Sequence, residues 1–474
     1  WRQADTAAVT RNFVKHGVNL LYPTFDDLSN VASGMNNFKG LRFVEFPLYN
    51  LAAVAVDKIF VGYNLEISQR LTSIFATLWS IIFLFLLVRK YLGRKEAVLS
   101  ALLFAILPYN IFFTRVILPE PYLVFTSLGM LYFFDKFIEA ISKPKADHSL
   151  DEKLKVYLKF FLYLLLALLF TVSAILVKPF AAFLFLPMAY LWFNKFKISI
   201  KSIIGLFIFL IIGFMPFIWW RWWINHFPEG IPASSWLLNG DAIRFKGAFF
   251  YWIFADRMSR LILGYWGLPL FVFGIFSRAY PKRWFFYWWG IAILLFVTVF
   301  ATGNVRHDYY QTFTIPIIVI FMAKGIVSLI EYLKTQTWRI TSYILVLIVL
   351  IFTIMFGWYN VRDFYNINHP EIVEAGRALE RKTKDNVLVI APYNGDTAFL
   401  YQTNRAGWPI MQEPIDKMIS MGAHYYVSVN FDDLTKQLLK DATNPDEKLR
   451  KYKLIELTDK YVIIQLVPDN KLPK

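Results

Sequence analysis

Residues 203–220 read IIGLFIFLIIGFMPFIWW, eighteen positions without a charge. Lys201 stands just before them, and Arg221 just after, set among Trp219, Trp220, Trp222 and Trp223. A helix needs about 20 predominantly apolar residues to cross a hydrocarbon core, and tryptophan collects where that core meets water. This stretch therefore reads as a membrane span with an aromatic rim. A sugar-stacking platform is the lesser reading of the same tryptophans.

Nine more stretches read the same way, at roughly 69–88, 97–113, 121–141, 157–175, 180–194, 261–277, 284–302, 313–330 and 340–358. The whole chain of 474 residues agrees. It is 57% hydrophobic, with a mean hydropathy of +0.45, and 89 of its residues are Phe, Trp or Tyr. The spans look almost free of buried charge. There are no cysteines, so disulfides and thiolate chemistry are excluded.

The formal net charge is +16. Residues 370–474 are neutral, so the excess lies between the spans and not on a nucleic-acid-binding face. Loops that alternate on one side carry Arg89, Lys90, Arg94 and Lys95, then Lys143, Lys145, Lys153 and Lys155, then Lys195, Lys197 and Lys201. Arg278, Lys282, Arg283, Lys334 and Arg339 complete that side. The short loops opposite hold only Arg115, Lys178 and Arg306. Basic residues mark the cytoplasmic side. Residues 1–68, 114–120, 176–179, 221–260, 303–312 and all beyond 359 are then expected outside a multi-pass protein of the cell (cytoplasmic, or inner) membrane. Trp1 falls on the outer side, so a further span is expected ahead of it.

The expected architecture is an α-helical polytopic bundle over 69–359. An outer loop over 1–68 precedes it, and a small extracytoplasmic α/β domain over 360–474 follows. Glu45–Phe60 is apolar but short and carries Asp57, which suits an interfacial or re-entrant segment. Pro370 and Glu371 open a helix. Val387–Ala391, Tyr425–Val429, Leu454–Leu457 and Val462–Val467 read as strands.

Five ionisable fragments fall on the outer side. They are Asp5 in WRQAD, Glu45 in EFP, Glu120 in LPEP with Arg115 nearby, Lys178 in VKPF, and Arg306-His307-Asp308-Tyr309-Tyr310. A charge near hydrocarbon is costly unless paired or wet, so each is a functional hypothesis. One carboxylate can take a proton from a hydroxyl, and others can hold a divalent cation that neutralises a phosphate leaving group. Lys and Arg bind phosphate directly. Plainer readings stand beside these. Asp5 suits a loop or a helix cap, and Glu120 a first-turn acid facing the helix dipole. Lys178 suits a side chain reaching for the interface. His226, Glu229 and Asp241, in the long outer loop, suit either a solvated loop or the completion of a metal site.

In order and side, these fragments resemble the GT-C glycosyltransferases that use polyprenyl-phosphate sugars. The likeness is nearest to the lipid A aminoarabinose transferase and protein O-mannosyltransferase group, and it runs from Trp1 to about Tyr310. It implies that Asp5 is the base and that Glu45 belongs to a metal site, which His226 of the long outer loop would complete. Aminoarabinose transferases place a phosphate-contacting lysine directly after that glutamate. Phe46 stands here, so Lys178, Arg306 and Arg115 become the donor-phosphate residues. Glu120 and the His307-Asp308-Tyr309-Tyr310 run resemble further site elements of the group.

The function this implies is transfer of a sugar, with inversion, from a polyprenyl-phosphate donor to a hydroxyl of a lipid, glycan or protein. A divalent cation would assist, and no nucleic acid takes part. The rival class is a transporter or flippase for lipid-linked sugars, which would keep its charges near the bilayer midplane. A sensor of lipid-linked sugars is a third class. The transferase requires the five fragments to meet in one outer pocket.

Overall fold

The computed structural model describes residues 1–141, 149–277, 284–333 and 336–473. Of the loop residues read as cytoplasmic, Lys143, Lys145, Arg278, Lys282, Arg283 and Lys334 lie outside the described residues. Among the described residues, five helices are long and apolar enough to cross a membrane: Leu65–Tyr91, Leu150–Val177, Ile200–Ile224, Ile315–Tyr332 and Gln336–Val361. Leu150–Val177 starts with a reciprocal cap, in which Ser149 Oγ accepts from Glu152 N and the Glu152 carboxylate accepts from Ser149 N.

Of the other stretches read as spans, 121–141 is the continuous helix Glu120–Ala140, and the remaining four are interrupted or cut short. The stretch 97–113 is two helices, Arg94–Ile106 and Pro108–Phe113. Pro108 has no N–H to continue the first helix. The carbonyl of Phe104 is instead met by the side-chain amide of Asn110. Residues 180–194 open as a 3-10 segment, Pro179–Leu184, before the helix Phe185–Phe196. Residues 261–277 begin in a π-helix, Tyr251–Ile262, and resume as Leu268–Phe276 after a turn at Gly264. Trp284–Val299 stops short of 302, and Ala301–Arg306 follows as a separate helix. The stretch read as a long outer loop holds a run of short helices, among them Trp236–Asn239.

By compactness the chain forms two units. One holds residues 70–221 and 234–366; the other holds 1–69, 222–233 and 367–474. In the first unit the helices Glu120–Ala140 and Leu150–Val177 pack side by side. Phe170 lies so close over Gly129 that a Cβ there would sit 2.1 Å from its ring. Lys324 departs from the expectation that spans lack buried charge. It is 2% exposed within Ile315–Tyr332. Its ammonium donates to the carbonyls of Gly274 and Ser277, each at 2.9 Å, and to the Tyr287 hydroxyl at 2.7 Å. It thus satisfies carbonyls at the C-terminal end of Leu268–Phe276, where a cation also suits the helix dipole.

The second unit joins the expected outer loop to the C-terminal segment. Five strands, β1 (Val389–Ile390), β2 (Gly407–Trp408), β3 (Tyr425–Ser428), β4 (Lys453–Leu457) and β5 (Val462–Gln465), pair in the order β2-β1-β3-β5-β4. β1 runs parallel to β2 and β3, and β5 antiparallel to β3 and β4. Alternate residues face opposite sides. Tyr425, Val427 and Ile463 pack with Ile372 and Leu379 of the helix Pro370–Lys382, whereas Tyr426, Val462 and Ile464 pack with Met418 and Leu438. Leu28 of the N-terminal loop inserts into the second of these cores. Its backbone N–H donates to the Gly407 carbonyl, and Gly407 N donates to the Asp26 carbonyl. Gly407 has no room for a side chain, since a Cβ would fall 1.8 Å from the Val389 carbonyl.

Candidate active site

Asp5 lies in the first turn of the helix Arg2–His16, where the dipole favours an acid. Thr6, Val9, Thr10 and Phe13 of the same helix are buried with it. Asp5 itself is 1% exposed, and its carboxylate is held on both oxygens. Oδ2 accepts from Arg42 Nη2 at 2.6 Å, and Oδ1 accepts from the Thr397 hydroxyl at 2.6 Å. Glu45 sits just ahead of Pro47, which caps the helix Leu48–Ile59. That helix is the short apolar segment read as interfacial, and its Asn50 ties it to the first helix through Thr6 O and Thr10 Oγ1, both at 2.8 Å. The Glu45 carboxylate accepts from Arg2 Nη2, with Oε1 at 2.7 Å.

Arg2, Asp5, Arg42, Glu45 and Asn50 line one small pocket. Its volume is about 10 Å³, room for about one water-sized oxygen. Two residues separated by 40 positions in sequence therefore share a cavity, and two guanidinium groups balance their charge. Around this pair lie two more buried acids. Arg11 is paired with Asp26, whose carboxyl is pushed up by burial against the pull of that arginine. Burial also pushes Asp27 up, to about 6, while its hydrogen bonds from Ser29 hold it back.

In the other unit, Glu120 opens the helix Glu120–Ala140, and Lys178 ends Leu150–Val177. Because the two helices lie side by side, the acid at one helix start meets the cation at the other helix end. Lys178 Nζ is 2.9 Å from Glu120 Oε1, with side chains 8% and 2% exposed. Lys178 also lies over the Tyr310 ring, 5.0 Å from its centroid. His307 contacts Tyr310 and stacks on Tyr309, with Trp236 at its edge. Asp308 pairs with Arg257 at 2.7 Å, and Arg257 also binds Asp256 at 2.8 Å. Burial pushes the Asp308 carboxyl up, opposed by Arg257. This unit thus gathers Glu120, Lys178, His307, Tyr309 and Tyr310, with Asp308 beside them on Arg257.

Arg115 and Arg306 have other partners. Arg115 lies over the Tyr365 ring, and Arg306 is largely exposed beside Asp241 and Trp236. His226 is absent from the walls of the Asp5 pocket. Its Nδ1 lies 2.9 Å from the Trp223 carbonyl, and its ring meets Trp222 edge-on. Among the described residues, no three His, Cys, Asp or Glu side chains converge as a cation site would need. Glu45 and Asp5 are each held by arginine, so this donor set does not fit a resident divalent cation.

Sequence reasoning missed Arg42, Thr397 and the pairing role of Arg2. Arg42 carried a weak signal, as the one basic residue of the run LRFVEF, three positions before Glu45. Thr397 carried none beyond following Asp396, a helix-capping residue.

Residues 39–197 match the family model for dolichyl-phosphate-mannose-protein mannosyltransferase. No curated protein matches the chain. Among solved structures, the chain is similar to ArnT from Cupriavidus metallidurans bound to undecaprenyl phosphate. The TM-score is 0.60 at 12% identity, over 100% of this chain and 95% of that one. The same protein in its apo state gives a TM-score of 0.62 at 12% identity, with the same coverage. The archaeal oligosaccharyltransferase AglB from Archaeoglobus fulgidus, in complex with an inhibitory peptide and a dolichol-phosphate, gives 0.56 at 12% identity. That match covers 99% of this chain and 70% of AglB. The chain has the GT-C fold, as the order of its outer acidic fragments implied.

Proposed function

We propose that this protein is an integral-membrane glycosyltransferase. It moves a sugar from a polyprenyl-phosphate donor to a hydroxyl of a lipid, glycan or protein, on the extracytoplasmic face of the cell membrane. The observation that carries the reading is the shared pocket of Asp5 and Glu45, walled by Arg2 and Arg42. The polyprenyl phosphates held by ArnT and AglB and the match over residues 39–197 support the donor class.

In this reading the acceptor hydroxyl occupies the water-sized space beside Asp5. Asp5 takes its proton as the oxygen attacks the anomeric carbon. The bond from that carbon to the phosphate oxygen breaks, and polyprenyl phosphate leaves with the electron pair. Attack opposite the leaving group inverts the anomeric centre. Arg2 exchanges Glu45 for the departing phosphate, since a guanidinium binds either oxyanion through the same fork of donors. The pocket must widen for this, and the Arg2–Glu45 pair is the contact that opens.

The transporter reading has less to stand on. Lys324, the buried cation inside a span, is engaged by three oxygens at a helix end. The test is mass spectrometry of products from purified protein given undecaprenyl-phosphate mannose, glucose and aminoarabinose in turn. Free undecaprenyl phosphate should accumulate from at least one of them. An Asp5→Asn variant that transfers at the full rate would remove Asp5 as the base.

A further inference from the structure

Thr397 belongs to the C-terminal segment, 392 residues from Asp5 in sequence, yet its hydroxyl donates to Asp5 Oδ1 at 2.6 Å. Both side chains are buried, Thr397 at 5% exposure and Asp5 at 1%. The contact is not a chance meeting of mobile groups, because the threonine is fixed from several directions. It is the first residue of the helix Thr397–Gln402, whose start is capped by Asp396 Oδ1 accepting from Ala398 N at 2.8 Å. At the other end of that short helix, Arg11 donates to the Tyr401 carbonyl at 2.8 Å and lies over the Tyr401 ring. The Tyr401 hydroxyl in turn donates to Glu66 at 2.6 Å. The helix is thus fastened to Arg2–His16, the helix that carries Asp5.

We propose that Thr397 is a positioning residue for Asp5, so that the C-terminal segment completes the catalytic carboxylate and does not merely cover it. The inference rests on the reading of Asp5 as the base. A carboxylate offers about four acceptor positions. Arg42 and Thr397 take one on each oxygen and fix the plane of the group, which leaves acceptor capacity for the incoming hydroxyl. Without the threonine hydroxyl, the carboxylate keeps the Arg42 contact but is free to turn about it. Misorientation of a base lowers the rate of proton transfer more than it weakens donor binding. The charged groups facing Asp5 are Arg42, Arg2, Glu45 and the buried Asp26 and Asp27, and none of them changes in this experiment.

The test uses the full chain and whichever of the three undecaprenyl-phosphate sugars above it turns over fastest. Thr397→Val keeps the shape and deletes the hydroxyl; Thr397→Ser keeps the hydroxyl. The valine variant should lose about tenfold in kcat with little change in donor KM. The serine variant should recover kcat to within about threefold. If the valine variant does not fold, Thr397→Ala is measured in its place. Asp5→Asn is run alongside. A dead asparagine variant with a valine variant unaltered in both kcat and donor KM overturns the role of Thr397 alone. An active asparagine variant overturns the base, and this inference with it.

Discussion

Substituting either partner of the Glu120–Lys178 pair tests whether these charges serve the fold or the donor. The two groups are 2.9 Å apart and almost wholly removed from solvent. At that distance, and with an effective dielectric of about 20, their attraction is about 6 kcal/mol. Desolvation of both ions offsets much of it, so the pair adds little over an apolar replacement. Breaking it is another matter, because the survivor is left buried and unmatched, at a cost of about 3–5 kcal/mol. Glu120→Gln and Lys178→Met should each lower the apparent melting temperature of the detergent-solubilised protein, on the order of 10 °C. The double variant Glu120→Leu/Lys178→Met should recover most of that loss. Thermal unfolding followed by tryptophan fluorescence, at one fixed scan rate, reads all three. Single variants as stable as the parent would refute the argument that the charges are buried partners. Sugar transfer by the double variant then separates structure from chemistry. If the lysine chiefly answers Glu120, transfer persists, and if it holds the donor phosphate, transfer is lost although stability has returned.

Other consequences follow from the second unit. Asp27 has a carboxyl pushed up to about 6 by burial, above the unfolded value of 3.8. The folded state therefore holds the proton more tightly, and this group's contribution to stability is present below about pH 4 and lost as pH rises through about 6. Asp27→Asn keeps an oxygen to accept from Ser29 N and should stabilise the protein by up to ~3 kcal/mol at pH 8, with little effect at pH 4; melting curves across that range check it. Gly407→Ala drives a methyl into the Val389 carbonyl at the β1–β2 pair, and should lower the melting temperature and increase protease cleavage within 367–474. Arg2→Met leaves Glu45 without its guanidinium and removes the proposed phosphate partner, so it should reduce kcat/KM for the donor by at least about tenfold, read by release of undecaprenyl phosphate. Activity should survive a chelator such as EDTA, since arginines occupy the carboxylates that a cation would need.

What could be read in advance was whatever carries its cost locally. An uncharged run such as 203–220 has no stable place in water, so the helix Ile200–Ile224 was evident from composition. The interruptions at Pro108 and Gly264 were less evident, because an apolar run conceals whether its backbone is continuous. In the sheet, the short apolar runs Tyr425-Tyr426-Val427 and Val462-Ile463-Ile464 announced β3 and β5, which are buried on both faces. β2, two residues long, has no pattern to announce, and exists because Gly407 lets the chain approach β1 and the Asp26–Leu28 loop together. The site divides in the same way. Asp5, Glu45, Glu120 and Lys178 stood out because a charge beside hydrocarbon needs a reason, whatever its partner is. The identity of the partner is a tertiary fact. Glu120 satisfies the local rule for a first-turn acid and a buried ion pair at once, and only the side-by-side packing of two helices shows the second role. Asp5 demands two donors, and nothing near it in sequence supplies them. Arg42 and Thr397 reach it from 37 and 392 positions away, and that distance is why the residue with the chemistry was visible while the residues that aim it were not.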